Sequence, residues 1–171
     1  NPTTQTQTNT KSMAMSSEVE KGISLWKASF EGNSDLVEKI ISERNNDIVN
    51  WVNVEREGST PLWVACLKGH SEIARKLLKE GADIEMAIYD GATPLYIACE
   101  KGFKNVVEIL LKNGAQVDKA TENGSTPLFV VCANGHREIA EILIQNGADV
   151  NWKRTGDGST PLCIASACSD P

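Results

Sequence analysis

GSTPLWVACLKGH, residues 58–70, returns as GATPLYIACEKGF at 91–103 and as GSTPLFVVCANGH at 124–136. The Thr-Pro-Leu triplets at 60–62, 93–95, 126–128 and 160–162 are spaced by 33, 33 and 34 residues. A period of this length marks an array in which each copy is one small supersecondary unit. Ahead of them ISLWKASFEGN, residues 23–33, aligns with TPLWVACLKGH but lacks the Thr-Pro. The chain therefore reads as a divergent first copy, three full copies and a partial last one.

Within a copy the residues spell two short helices. Thr at the N-cap followed by Pro at the first helical position satisfies one orphan amide and starts a helix where a missing N–H costs nothing. Leu62, Ala65 and Cys66 then share one helical face, and Gly69 supplies the reversal. The run SEIARKLLKEGAD (71–83) predicts a second, amphipathic helix that buries Ile73, Leu77 and Leu78 and stops at Gly81. The polar segment after it, IEMAIYDGA (84–92), suits a tight hairpin with Asp90-Gly91 at its tip. Such a helical pair cannot bury its own apolar face, so it stacks on its neighbours.

Composition bounds the rest. The chain has 171 residues, 40% hydrophobic content and a formal net charge of −6, with a pI near 5.0. That leaves no basic field for phosphate backbones or acidic membranes, and neither partner is expected. No apolar run approaches the roughly 18 residues of a membrane span. The first segment lacks a signal peptide's charged start and apolar centre, and it reads as a disordered polar lead-in over residues 1–19. Five cysteines without a secretion signal point to a reducing compartment, cytoplasmic or nuclear. The first residue is not Met and the last copy stops at IASACSDP; a segment of a longer protein is the expectation.

The pattern G-x-T-P-L-x-x-A-x-x-x-G-H, a Leu-Leu helix and then G-A-D-V-N resembles the ankyrin repeat, over about residues 20–168. The resemblance implies an all-α solenoid of stacked helix-turn-helix repeats with β-hairpin fingers. The units are a capping repeat at 20–57 with a loop insertion in SERNNDIVNW, repeats at 58–90, 91–123 and 124–157, and a partial repeat at 158–171. One extra residue in NWKRTGDG predicts a longer last finger. The resemblance further implies a non-catalytic module that binds another protein on the concave surface of fingertips and first helices, acting as a monomer or as part of a longer chain. Two alternatives stay open: a regulatory or substrate-docking segment of a larger enzyme or ligase component, and a structural spacer.

If that geometry holds, the concave positions are those at which the copies differ. They are Arg56, Glu57, Leu67 and Lys68 in the first full copy and Tyr89, Asp90, Glu100 and Lys101 in the second. Glu122, Asn123 and Asn134 follow in the third, and Trp152, Arg154 and Asp157 on the last finger. Anchors are drawn from aromatic residues and Arg, which singles out Tyr89, Arg56 and Arg154, then Leu67 and Trp152. The mixed signs point to a mixed-charge partner. The aromatic column Trp26, Trp63, Tyr96 and Phe129 reads as scaffold, with successive rings packing along the stack. Leu143 to Asn151 also resembles the repeat sites at which asparaginyl hydroxylases act, which makes Asn151 a modification candidate.

No catalytic constellation, cofactor, metal or small-molecule substrate is expected. His70 and His136 share a slot that the intervening copy fills with Phe103, so it is not a ligand slot. Cys66, Cys99 and Cys132 recur on successive first helices about 8–10 Å apart, too far for disulfides and without convergence on a metal. Cys163 and Cys168 read as exposed thiols. The Gly-rich TGDGST (155–160) lacks the Gly-Lys-Ser/Thr ending of a phosphate loop and reads as a hairpin tip.

Overall fold

The computed structural model describes residues 3–43 and 48–167, with side chains from residue 17. Four of the residues in the expected insertion, 44–47, and Cys168 lie outside the described residues. The elements in order are α1 Thr3–Glu31, α2 Ser34–Ser42, α3 Pro61–Lys68, α4 Ser71–Lys79, α5 Pro94–Glu100, α6 Lys104–Lys112, α7 Pro127–Asn134, α8 Arg137–Gln145 and α9 Pro161–Ala167. Packing follows two layers. The C-terminal part of α1 packs on α3, α3 on α5, α5 on α7 and α7 on α9, while α2, α4, α6 and α8 form a second row, each against its own first helix.

The caps behave as their chemistry requires. The hydroxyls of Thr60, Thr93 and Thr126 accept from the backbone N–H of Trp63, Tyr96 and Phe129 at 3.1, 3.1 and 3.2 Å. Pro occupies the first helical turn in all three helices. Because an inner helix is covered by a neighbour on each side and by its own outer helix, it is apolar nearly all round: Pro61 to Cys66 are all buried. The outer helix is covered on one side only, and α4 buries just Ile73, Ala74 and Leu77, with Leu78 half-buried.

Glycines recur where the next repeat presses closest. Gly32, Gly69 and Gly102 end or follow the inner helices at φ +80, +75 and +75, and a Cβ on each would meet a ring atom of His70, Phe103 and His136 at 2.7 Å. The histidine slot is therefore a packing slot. His70 and His136 place Nε2 3.2 Å from the carbonyls of Phe30 and Glu100. A carbonyl only accepts, so the proton sits on Nε2.

The fingers are hairpin turns too short to form strands. Among the described residues the only ladder element is an isolated bridge between Asn53 and Ser59. The second and third fingers close with Ile88 N–H to the Ala92 carbonyl and Thr121 N–H to the Ser125 carbonyl. The last closes one residue wider, Arg154 to Ser159, as the extra residue in NWKRTGDG predicts. The second and third fingers hang on the previous one by backbone: Tyr89 N–H donates to the Glu57 carbonyl at 3.0 Å and Glu122 N–H to that of Asp90 at 2.9 Å.

Helix α1 begins at Thr3, within the polar lead-in; past Pro2 no Pro or Gly interrupts the segment until Gly22. One expectation needs correction: the aromatic column does not pack ring on ring. Trp26 Nε1–H donates to Ser59 Oγ (3.1 Å), Trp63 Nε1–H to the Ala92 carbonyl (2.9 Å) and the Tyr96 hydroxyl to Ser125 Oγ (3.4 Å). Phe129, with no polar end, lies under the Arg154 guanidinium, 5.0 Å from its ring centre. Each aromatic thus clasps the finger of the following repeat, and the stacked pair among the described residues is Trp26 with Phe30, both on α1.

At the end of the array Leu162 is 73% exposed, whereas Leu62, Leu95 and Leu128 in the same slot are 1% exposed. The slot is buried only where a following helix pair stands against it.

Candidate functional site

Where fingers meet inner helices the chain forms two adjoining clefts. The first, about 670 Å³, lies between α1, the first finger and α3. Its floor and walls are Ile23, Trp26, Phe30, Trp63, Val64 and Leu67, and its rim carries Lys27, Glu31, Glu55, Arg56 and Glu57. The second, about 330 Å³, lies one repeat further on and is lined by Trp63, Ile88, Ala92, Tyr96, Ile97 and Thr121, with Asp90, Glu100, Glu122 and Asn123. Trp63 belongs to both.

Aromatic side chains of α1 shape the first cleft. The Trp26 and Phe30 rings stack at 5.4 Å with an 8° interplanar angle, and Lys68 Nζ sits 4.3 Å over the Phe30 ring. At Gly22 a Cβ would lie 2.3 Å from Trp51 Cγ, so the bare glycine lets the indole lie against the helix. Finger one is also widened by a 3-10 turn, Val54–Arg56, which ends on Glu57 at φ +59. A side chain in that region is strained. The turn carries Arg56, which has no ion-pair partner among the described residues.

In the second cleft the charges are all carboxylates. Lys101 Nζ pairs with Glu100 at 2.6 Å, while Asp90 and Glu122 are exposed and form no ion pair among the described residues. Asp90 Oδ1 accepts from the Ala92 N–H at 2.8 Å, which fixes the carboxylate at the fingertip. Burial pushes the Tyr96 hydroxyl above its ordinary pKa, and the hydrogen bond to Ser125 opposes this. It is a hydrogen-bonding group in this cleft, not a base. Among the described residues no group of three or more His, Cys, Asp or Glu side chains is placed to hold a metal. No helix among them is long and apolar enough to cross a membrane.

A helix-turn-helix stacked every 33 residues, with Thr-Pro caps, glycine reversals and backbone-linked fingers, is matched by a family model. The model for ankyrin repeats, 3 copies, covers residues 25–121 and again 117–170. The chain belongs to the ankyrin repeat family. No curated protein matches it.

Within this ankyrin array the residues singled out by sequence separate into groups. Arg56, Glu57 and Leu67 meet in the first cleft, and Asp90, Glu100, Glu122 and Asn123 in the second. Others are engaged within the scaffold. Lys68 covers Phe30, Asn134 Nδ2 donates to the Glu100 carbonyl at 3.0 Å, and Trp152 Nε1–H donates to the Gly124 carbonyl at 3.1 Å. Arg154 is bound to Asp157 and lies over Phe129, and it holds the Asp157 carboxyl well below the usual carboxylate range. Tyr89 is 63% exposed but rests on Gly58, where a Cβ would meet its ring at 2.7 Å. Asn151 is exposed, its N–H donating to Asp149 Oδ1 at 2.8 Å.

Reading by variable position missed the contribution of α1. Ile23, Lys27 and Phe30 line the first cleft. The signal was present, because Phe30 occupies the slot of Leu67 and Glu31 that of Lys68 once ISLWKASFEGN is aligned. Trp63 was assigned to the scaffold alone, yet its clasp orientation leaves one part of the ring lining both clefts.

Ankyrin repeats are generally protein–protein interaction modules, and domains built from them are typically non-catalytic.

Proposed function

We propose that this chain binds a partner protein through the concave surface made by its first three fingers and inner helices, with the two clefts at its centre. The observation that carries this reading is convergence. Residues from α1, three separate fingers, α3 and α5 are brought into two clefts that share Trp63. Elsewhere the repeating residues are consumed by caps, clasps and core. At the clefts the side chains differ from copy to copy and several charges stand without ion pairs, which is what a recognition surface requires on a uniform scaffold.

The test is affinity capture with the whole chain as bait and the double substitution Tyr89→Ala/Arg56→Ala as control. Both side chains lie at fingertips outside the core, so the variant is expected to keep the thermal midpoint of the parent. It should weaken the captured partner by on the order of 2 kcal/mol or more if these residues are anchors. A partner whose affinity is unchanged would place the binding surface elsewhere on the molecule.

A further inference from the structure

From the two clefts we infer the chemistry of the partner: an extended peptide segment that places one large apolar side chain in the first cleft and a Lys or Arg, three residues away, in the second. This rests on the concave-surface reading above and narrows it.

The first cleft asks for an apolar anchor. Its interior is made of indole, phenyl and aliphatic surface, including the exposed face of Ile23 at 46% and of Phe30 at 36%. Covering such surface with a Leu- or Phe-sized group removes it from water, the largest favourable term available to a small contact. The second cleft asks for a cation. Its charged lining is Asp90, Glu100 and Glu122, and among the described residues the one cation that forms an ion pair with any of them, Lys101, pairs with Glu100. Asp90 and Glu122 stand on successive fingertips joined by the backbone bond from Glu122 N–H to the Asp90 carbonyl at 2.9 Å. Both residues line the second cleft, and neither carboxylate has an ion-pair partner among the described residues. An anionic partner, nucleic acid included, would be repelled here.

Spacing fixes the register. Successive inner helices stand about 8–10 Å apart, and a peptide in the extended polyproline II conformation advances about 3.1 Å per residue and returns to the same face every third residue. Two side chains that enter neighbouring clefts are then about three residues apart. Trp63, common to both walls, would lie beneath the residues between them. The net charge of −6 adds a long-range attraction for a basic segment.

The probe is a phage-displayed random 12-residue peptide library, panned on the whole chain at low salt. The consensus peptide is then synthesised and its affinity measured for the parent and for two variants, Asp90→Asn/Glu122→Gln and Ile23→Asp. All of these positions are exposed, and circular dichroism with thermal melting checks that each variant folds as the parent does. The expected consensus has an aromatic or aliphatic residue and a Lys or Arg at a separation of three. The consensus peptide should lose about tenfold in affinity on the charge-neutralised variant and at least tenfold on Ile23→Asp, and raising the salt should weaken the parent complex. Enriched peptides that lack a basic residue, or that bind the charge-neutralised variant as well as the parent, overturn this inference. If those same peptides fail on Ile23→Asp, the concave-surface reading survives without it. Enriched peptides indifferent to both variants and to Tyr89→Ala/Arg56→Ala would remove both. A library that yields no peptide dependent on either cleft also overturns the inference, in favour of a folded partner.

Discussion

Gly102 and Gly135 hold the same place in successive repeats, and the difference between them isolates what one repeat contributes to the next. Both have a left-handed backbone, at φ +75 and +71. Alanine in that region costs about 1–2 kcal/mol whatever surrounds it. At Gly135 nothing lies within 4 Å of the added Cβ, so Gly135→Ala should cost that amount and no more. At Gly102 the Cβ would meet His136 Cε1 at 2.7 Å and Nε2 at 2.9 Å. The ring must move, which breaks its bond to the Glu100 carbonyl, held at 3.2 Å. Overpacking at such a contact costs about 1–3 kcal/mol. Gly102→Ala is therefore expected to exceed Gly135→Ala by about 1–3 kcal/mol, seen as a lower urea midpoint at similar slope. In a chain of this size each kcal/mol moves Tm by about 2–4 °C. Equal losses at the two sites would refute the claim that the glycine–histidine contact couples the repeats.

Three further outcomes follow from the same structure. Gly22→Ala should destabilise by about 1–3 kcal/mol through displacement of Trp51, whose ring atoms lie 2.3–2.6 Å from the new Cβ; an unobstructed helix would instead gain up to about 1 kcal/mol, so the sign of the change in Tm decides. Trp63→Phe should cost about 1–2 kcal/mol, since it loses one hydrogen bond while the Ala92 carbonyl keeps that from the Ile88 N–H at 3.2 Å; chemical denaturation measures it, and no loss would mean that the clasp is incidental. Cys163, exposed and with its thiol pulled below its ordinary pKa by bonds to Thr160, should react with a maleimide far sooner than Cys66 or Cys99, whose thiols burial pushes well up; peptide mapping by mass spectrometry reads the order.

Much of the scaffold was legible because its signals are local. A Thr cap needs only the residue three positions on, and an inner helix announces itself by Thr-Pro-Leu whatever packs against it. The reach of the aromatic column was not legible. Whether Trp63 meets the next ring or the next finger depends on the angle between finger and helix, which no local pattern encodes, and the answer is the Ala92 carbonyl. The length of α1 N-terminal to Gly22 was not legible either. Its many Thr, Ser and Asn residues are weak helix formers, so composition alone favoured a disordered reading. The same gap hid the first cleft: α1 was treated as a cap, and its Ile23, Lys27 and Phe30 were not compared with the variable slots of later copies. Which charges are free was likewise beyond the sequence, since Arg154 and Arg56 look equivalent until Asp157 is found beside one of them.

The fold divides labour by residue position, and Trp63 is where the division breaks down. Its indole N–H holds the second full repeat's finger through Ala92, and its ring walls both clefts. A ligand that dries either cleft lowers the dielectric around that hydrogen bond and strengthens it. A ligand that spans both touches two repeats that this bond joins. The neighbouring column member, Tyr96, sits the same way in the second cleft, clasping Ser125 while facing the carboxylates. The repeat that forms the wall of one cleft is thereby fastened to the finger that carries the charges of the next. On the proposed function, two clefts built on separate repeats act as one site because residues that join the repeats also line the clefts.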